Sequence, residues 1–144
     1  MASDFSNIVA VKEAAGDMDQ ALRLLQNKPD DFLVISGDDM MALPMTLMGG
    51  AGVISVIGQG LPRDFSDMIR YALDSKSKEA AFLHFKLMNI IDYIFEEGNP
   101  AGIKSVFEAL GLSTAAVRLP LVEATNDLKS RIQEFIKPYA GIHV

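Results

Sequence analysis

The sequence predicts an α/β fold in which a short parallel sheet is followed by a segment made only of helices. Three β-rich runs carry the sheet, at residues 7–12, 32–36 and 52–56, and each is almost continuously apolar. Strands covered on both faces in a parallel sheet have this composition. A glycine and then a helical pattern follow each run, and such strand–loop–helix units in series predict parallel pairing.

Each of the first three helices has its own start signal. Asp17 can cap the first helix, with Gln20 three residues further on. Asp38-Asp39 can open the second helix, and Pro44 predicts that its regular part begins late. Pro62 stands where the first turn of the third helix tolerates a proline. Asp38-Asp39 has a second interpretation, as a metal-binding or acid/base pair, but aspartates between a strand and a helix are more typical of caps.

The second half of the sequence changes character. Its apolar spacing predicts no strand and three helices, at residues 80–94, 100–110 and 128–136. The change places a boundary near Ser75–Lys78, with three βα units in residues 1–76 and a helical domain in residues 77–144. We interpret Glu96-Glu97 as a solvated helix end.

A sheet of three parallel strands leaves both of its edges open. The edge strands expose unpaired backbone groups, and the strand faces are apolar, so something must cover them. Either another segment of a larger barrel pairs with the edges, or copies of the chain supply strands to one another. We therefore expect a homo-oligomer or a complementing N-terminal portion as the partner.

Composition excludes several classes of partner. The 144 residues have a formal net charge of −6 and a pI near 4.8, which argues against nucleic acid and anionic membranes. The uncharged segment Met40–Pro62 is long enough to span a bilayer. It contains five glycines and two prolines, however, and so is expected to be a buried helix, a turn and a buried strand.

Residue usage also narrows the chemistry. The chain has no cysteine, so disulfides and thiolate catalysis are excluded. Met1–Asp4 lacks the basic and apolar pattern of a secretory signal, and a cytoplasmic protein is expected. His84 and His143 have no paired spacing, which argues against a metal site. No cofactor is expected.

Lys12 is the residue that most directly indicates chemistry. It follows four apolar residues at the carboxyl end of the first strand, and alternation places it on one face with Ile8 and Ala10. Catalytic groups of closed parallel barrels gather at this end of the strands. A lysine in a semi-apolar pocket can supply the neutral amine that forms a Schiff base. The alternative is a strand-end lysine that extends into water.

The residues around Lys12 resemble the V/I-K-E-A-x-G-D motif of dihydrodipicolinate synthases. They read Val11-Lys12-Glu13-Ala14 and then Gly16-Asp17. Four further segments resemble motifs of the same family in the same order: Ser36-Gly37-Asp38-Asp39 (S-G-D-D), Gly52-Val53-Ile54-Ser55-Val56 (G-V-I-S-V), Asn99-Pro100 with Lys104 (N-P-x-x-x-K) and Arg118-Leu119-Pro120-Leu121 (R-L-P-L). The resemblance covers essentially the whole chain from about Asn7, and the five motifs in order make it specific.

The resemblance implies a fold and a reaction. The fold would be the last three βα units of a (β/α)8 TIM barrel, followed by the C-terminal helical domain. Lys12 matches the lysine that forms an imine with pyruvate, and the resulting enamine would attack L-aspartate 4-semialdehyde in lysine and diaminopimelate biosynthesis. Ile54 matches a residue whose main chain contacts the pyruvate moiety. Gly37 matches a glycine that lines the active-site cavity.

The sequence also departs from the family pattern. The family requires a tyrosine at the end of the fifth strand, a threonine pair after the second strand and an arginine for the second substrate. Here Tyr71 and Tyr93 fall in helical patterns, Tyr139 follows the last helix, and no two threonines are adjacent. A whole barrel needs about 250 residues. The resemblance therefore implies the C-terminal part of a synthase, inactive alone.

Three other interpretations stay open at this point. N-acetylneuraminate lyases share the lysine but fit the S-G-D-D and G-V-I-S-V segments less well. A non-catalytic fragment or engineered partial barrel that self-associates fits the open sheet edges. A flavodoxin-like binding domain is disfavoured, because helices without further strands end the chain.

Overall fold

The sheet consists of three short parallel strands. A computed structural model describes Ala2 and residues 4–139. The strands are β1 (Ala10–Glu13), β2 (Leu33–Ser36) and β3 (Gly52–Val53), and they pair in the order β1–β2–β3. Lys12 pairs with Ile35, and Ser36 pairs with Val53. The predicted parallel α/β arrangement is confirmed.

The strands are shorter than their apolar runs. β1 begins at Ala10 instead of residue 7, and β3 ends at Val53 instead of residue 56. Backbone hydrogen bonding decides where each strand begins and ends, because an apolar residue with no neighbouring strand to pair with is not part of the sheet. After Ile54 the chain leaves the sheet and forms a 3₁₀ turn at Ile57–Gln59.

Six α-helices account for most of the remaining described residues. They are α1 (Met18–Asn27), α2 (Ala42–Leu47), α3 (Pro62–Leu73), α4 (Ser77–Glu96), α5 (Ala101–Ala109) and α6 (Asn126–Ile136), and a 3₁₀ turn at Lys137–Tyr139 follows α6. All three helices predicted for the second half are present. None of these described helices has both the length and the hydropathy that a membrane-spanning helix needs.

The predicted cap is confirmed for α1 but not for α2, whose N-cap is Met41. The Asp17 side chain accepts a hydrogen bond from the Gln20 backbone N–H at 3.2 Å, which satisfies one of the free donors at the start of α1. Asp38 Oδ1 accepts a hydrogen bond from Met41 N at 3.0 Å, in the turn that precedes the late start of α2. Thr125, which was not predicted as a cap, accepts a hydrogen bond from Leu128 N at the start of α6.

The chain divides into two compact units that each use two stretches of sequence. The first unit comprises residues 1–55 and 66–84, and the second comprises residues 56–65 and 85–144. Each unit therefore takes part of α3 and part of α4. The predicted boundary between residues 76 and 77 falls in the α3–α4 turn, and the division of a complete protein into a barrel and an appendage stays a prediction.

In the first unit, only one face of the sheet is covered. Ala21, Val34 and Met45 are buried together, with side chains of α1 and neighbouring segments packed around them. On the other face, Leu33 is 46% exposed. Ile54, just beyond β3, is 54% exposed. The expectation that both faces are covered is therefore wrong for this chain, because residues of α1 and α2 pack on the face of Val34 while Leu33 on the other face stays exposed.

The second unit has a well-packed helical core. Its largest fully buried side chains come from the 3₁₀ turn, α4, α5 and α6, and include Ile57, Leu87, Ile90, Ile94, Val106, Leu128, Ile132 and Ile136. Gly102 on α5 lies directly against the α4 backbone: a Cβ at this position would stand 2.3 Å from the Ile94 carbonyl oxygen.

The end of α4 is fastened to α6 by charged side chains. Arg131 makes two hydrogen bonds to the Glu96 carboxylate, at 2.6 and 2.8 Å, and lies 5.0 Å from the centre of the Tyr93 ring. These bonds lower the pKa of Glu96 below its usual value. Glu97 accepts hydrogen bonds from the backbone and the hydroxyl of Thr125. Glu96 and Glu97 are both exposed at the end of α4, as predicted, and both also hydrogen-bond to residues at the start of α6 or within it.

Candidate functional site

Lys12 lies at the carboxyl end of the sheet, where its side chain is exposed. Among the residues that the structure describes, it has no ion-pair or hydrogen-bond partner, so its amine is uncommitted. The amine is not enclosed by a semi-apolar pocket in this chain. The open face of the sheet leaves it accessible from the side that carries Leu33.

Gly37 provides the space in which the Lys12 side chain lies. A Cβ placed on Gly37 would stand 2.6 Å from Cε of Lys12 and 2.7 Å from Cβ of Ala14, both far inside normal carbon–carbon contact. The absence of a side chain at Gly37 therefore permits the observed path of the lysine stem.

Backbone hydrogen bonds align the ends of the three strands. Gly37 N donates to the Glu13 carbonyl oxygen at 2.7 Å, and Ile54 N donates to the Ser36 carbonyl oxygen at 2.9 Å. Lys12, Gly37 and Ile54 consequently stand at the carboxyl ends of adjacent parallel strands. This is the end at which functional groups of parallel α/β sheets and barrels collect.

Glu13 also lies in this region, but the sequence analysis did not single it out from the rest of its motif. Its side chain is buried, and its two oxygens accept hydrogen bonds from Ala15 N at 2.7 Å and from Gln20 Nε2 at 3.0 Å. The sequence could have indicated this position. Successive side chains of a strand point to opposite faces, so a glutamate directly after Lys12 is expected on the face that the following helix covers.

The described tyrosines and His84 lie on helices or in a 3₁₀ turn and not at the ends of strands. Tyr71 and Tyr93 lie within α3 and α4, as predicted, and Tyr139 donates a hydrogen bond to Asp64 at 3.0 Å. His84 is buried in α4, and burial lowers the pKa of its imidazole. His143 lies outside the described residues.

The acidic residues of the first unit show no metal-binding arrangement. Asp38 accepts a hydrogen bond from Met41 N in the turn before α2. The N-cap of α2 is Met41 and no side chain caps it, so the prediction that Asp38 or Asp39 caps this helix is wrong. Asp39 is buried. Within residues 4–139, no group of three or more acidic or histidine side chains is arranged to hold a metal ion. The groups that this site can use in chemistry are therefore the Lys12 amine and backbone N–H and C=O groups.

Comparison with known families gives an independent view of the chain. The sequence profile described as "Dihydrodipicolinate synthetase family" matches residues 1–139. The 4-hydroxy-tetrahydrodipicolinate synthase of Flavobacterium psychrophilum is 59% identical over 137 residues, which are 95% of this chain and 47% of that protein. The enzyme of the same name from Bacillus subtilis is 39% identical, over 93% of this chain and 48% of that protein.

Solved structures show the same relationship in three dimensions. The dihydrodipicolinate synthase of Aquifex aeolicus has a TM-score of 0.90 and 36% identity, and the match covers 96% of this chain and 47% of that chain. The enzyme of Thermotoga maritima has a TM-score of 0.92 and 29% identity over 95% of this chain and 48% of that chain. The chain thus spans about half the length of the relatives it matches, and it belongs to the dihydrodipicolinate synthetase family.

Proposed function

We propose that this chain carries the Schiff-base lysine of a 4-hydroxy-tetrahydrodipicolinate synthase, and that Lys12 is that lysine. The observation that carries the proposal is the uncommitted Lys12 amine, whose stem lies over Gly37 at the carboxyl end of the sheet. Family membership supports the reaction class, and the V-K-E-A segment supports the assignment of the residue.

The proposed chemistry begins with covalent capture of pyruvate. The neutral Lys12 amine adds to the C2 carbonyl, and loss of one water molecule gives the imine. Protonation of the imine nitrogen and loss of a proton from C3 give an enamine. Its carbon forms a bond to the aldehyde carbon of L-aspartate 4-semialdehyde, while the aldehyde π electrons move to oxygen, which takes up a proton. Gly37 keeps the cavity open beside the lysine, and the main chain at Ile54 contacts the pyruvate moiety.

We further propose that the sheet is part of a (β/α)8 barrel. The exposed face at Leu33 and Ile54 is apolar, and open edges of parallel strands call for pairing with further strands. The family fold in the longer relatives contains about as many additional residues as this chain. Those additional residues would enclose Lys12 in the apolar surroundings that favour its neutral amine.

The first prediction is that this chain alone has negligible synthase activity. The enamine route needs a proton transfer at each step, and positioned acid/base groups usually contribute about 10²–10⁴-fold. None of the described tyrosines lies at the end of a strand beside Lys12. Condensation of pyruvate with aspartate semialdehyde should therefore be undetectable with the chain alone.

Addition of a complementing half should restore this activity. The complementing half is the part of the Flavobacterium psychrophilum relative outside the region that this chain matches, produced as a separate polypeptide. Sedimentation of the mixture should show a species containing both polypeptides. Full turnover by the chain alone would contradict the proposal, and an inactive homo-oligomer that excludes the complementing half would favour the non-catalytic alternative.

The second prediction concerns Gly37→Ala. The new methyl group would meet Cε of Lys12, the flexible end of a side chain, and Cβ of Ala14. We expect a moderate loss of stability, about 1–3 kcal/mol, and a larger loss of activity, about 10²-fold, because the amine is displaced. Rates of the complemented protein and urea unfolding measure the two effects, and an active Gly37→Ala variant would refute the assigned role.

A further inference from the structure

We infer that Glu13 is a positioning residue for Lys12, an inference that rests on the proposed function. Its buried carboxylate fastens the end of β1 to the start of α1 and so fixes the point from which the Lys12 side chain extends. Glu13 acts through the backbone and not on the substrate.

The Glu13 carboxylate is buried and hydrogen-bonded. The residue is only 7% exposed, and its oxygens accept hydrogen bonds from Ala15 N and Gln20 Nε2. Burial of a carboxylate is costly unless hydrogen bonds compensate it, and an apolar residue of similar size often packs at least as well. Packing alone therefore does not account for a glutamate here. The two hydrogen bonds define a specific geometry for the β1–α1 turn.

The β1–α1 turn directly follows Lys12 along the chain. Successive side chains of a strand point to opposite faces, so Glu13 faces α1 while Lys12 faces the open side of the sheet. The Glu13 carbonyl oxygen also accepts the 2.7 Å hydrogen bond from Gly37 N, the residue over which the lysine stem lies. Glu13 thus holds the lysine-bearing strand end through both its side chain and its main chain.

The same geometry separates Glu13 from the reacting atoms. Both carboxylate oxygens are engaged on the helix side of the sheet. A general base must lie within hydrogen-bonding reach of the proton that it removes. Glu13 therefore orients the nucleophile, and a displacement of about 1 Å at such a nucleophile can lower a rate by about 10²-fold.

The test compares Glu13→Ala with Glu13→Gln in this chain combined with its complementing half. The readout is the rate of borohydride-trapped adduct formation at saturating pyruvate, per folded molecule. We expect Glu13→Ala to lower this rate at least about ten-fold. Glu13→Gln should stay within about three-fold of the original rate, because glutamine can keep both hydrogen bonds. Its amide oxygen can accept from Ala15 N, and its NH2 group can donate to the oxygen of a rotated Gln20 amide.

Glu97→Ala provides a matched control. Glu97 also accepts two hydrogen bonds, from Thr125, but it lies at the end of α4 and has no place in the proposed site. Its replacement should leave the trapping rate per folded molecule unchanged. Trapping by Glu13→Ala at the original rate, or a loss equal in Glu13→Gln and Glu13→Ala, would overturn the inference.

A second readout separates failure of this inference from failure of the proposed function. Reductive methylation with ¹³C-formaldehyde gives Lys12 an NMR signal that needs no pyruvate. In the full 144-residue chain, Glu13→Ala should shift this signal and Glu13→Gln should not. An unchanged Lys12 signal in Glu13→Ala overturns the positioning role. Absence of a pyruvate adduct on Lys12 of the unsubstituted chain and its complementing half overturns the proposed function instead.

Discussion

Replacing Lys12 by alanine is expected to lower condensation by the complemented protein by about 10⁴-fold or more, the effect typical of losing a covalent nucleophile. The Lys12 stem is the lysine side chain that lies against Gly37, so the substitution removes the amine proposed as the nucleophile. Lys12→Arg should be equally inactive, because a guanidinium stays protonated at any accessible pH and cannot supply a neutral amine. Initial rates at saturating pyruvate and aspartate semialdehyde measure both variants.

Lys104→Ala is the control for this substitution. Lys104 belongs to a family motif, yet its amine lies 3.4 Å from the Ser113 hydroxyl in the second unit, and we assign it no catalytic part. Its replacement should change the rate by less than about three-fold, within the range of surface substitutions. An inactive Lys104→Ala variant beside an active Lys12→Ala variant would reverse the assignment.

The second large effect is expected from Gly102→Ala. Its new Cβ would stand 2.3 Å from the carbonyl oxygen of Ile94 and 2.4 Å from its Cα, both backbone atoms. Relief requires the separation of α5 from α4, so we expect a loss of about 3 kcal/mol or more. The sign of the change in unfolding free energy is informative, because replacing glycine by alanine within a helix normally stabilises the protein by about 1 kcal/mol. Chemical unfolding followed by circular dichroism measures the change.

Gly16→Ala is the matched control for this packing effect. No atom lies within 4 Å of a Cβ built on Gly16, whose φ of 71° is left-handed. Its replacement should cost only the backbone term, about 1–2 kcal/mol. A Gly102→Ala variant as stable as the original chain would show that α4 and α5 are not in backbone contact.

Local patterns were sufficient to predict much of the fold. Apolar runs and caps predicted the parallel sheet and the helices, because both depend on residues close together in the sequence. The ends of the strands could not be predicted in this way, since pairing with a neighbour decides them. The open face at Leu33 was also missed, because continuous apolarity indicates only that a strand prefers cover and not which residues provide it.

The candidate site was likewise predictable only where local sequence patterns carried the information. Lys12 was found because a lysine at the end of an apolar strand is unusual, and its motif supported it. One of the two hydrogen bonds of the Glu13 carboxylate comes from Gln20, in the first turn of α1, and was not visible in the motif. The contact between Glu96 and Arg131 joins residues 35 positions apart, so no local pattern carries it. Such contacts depend on tertiary structure.

The central claim is that Lys12 Nζ forms the covalent bond to C2 of pyruvate. Borohydride reduction of the complemented protein in the presence of pyruvate, followed by peptide mass mapping, tests it most directly. We expect one modified lysine, in the peptide that contains Lys12, and no modification without pyruvate or in Lys12→Ala. Modification at another lysine, such as Lys104, or undiminished labelling of Lys12→Ala would contradict the claim.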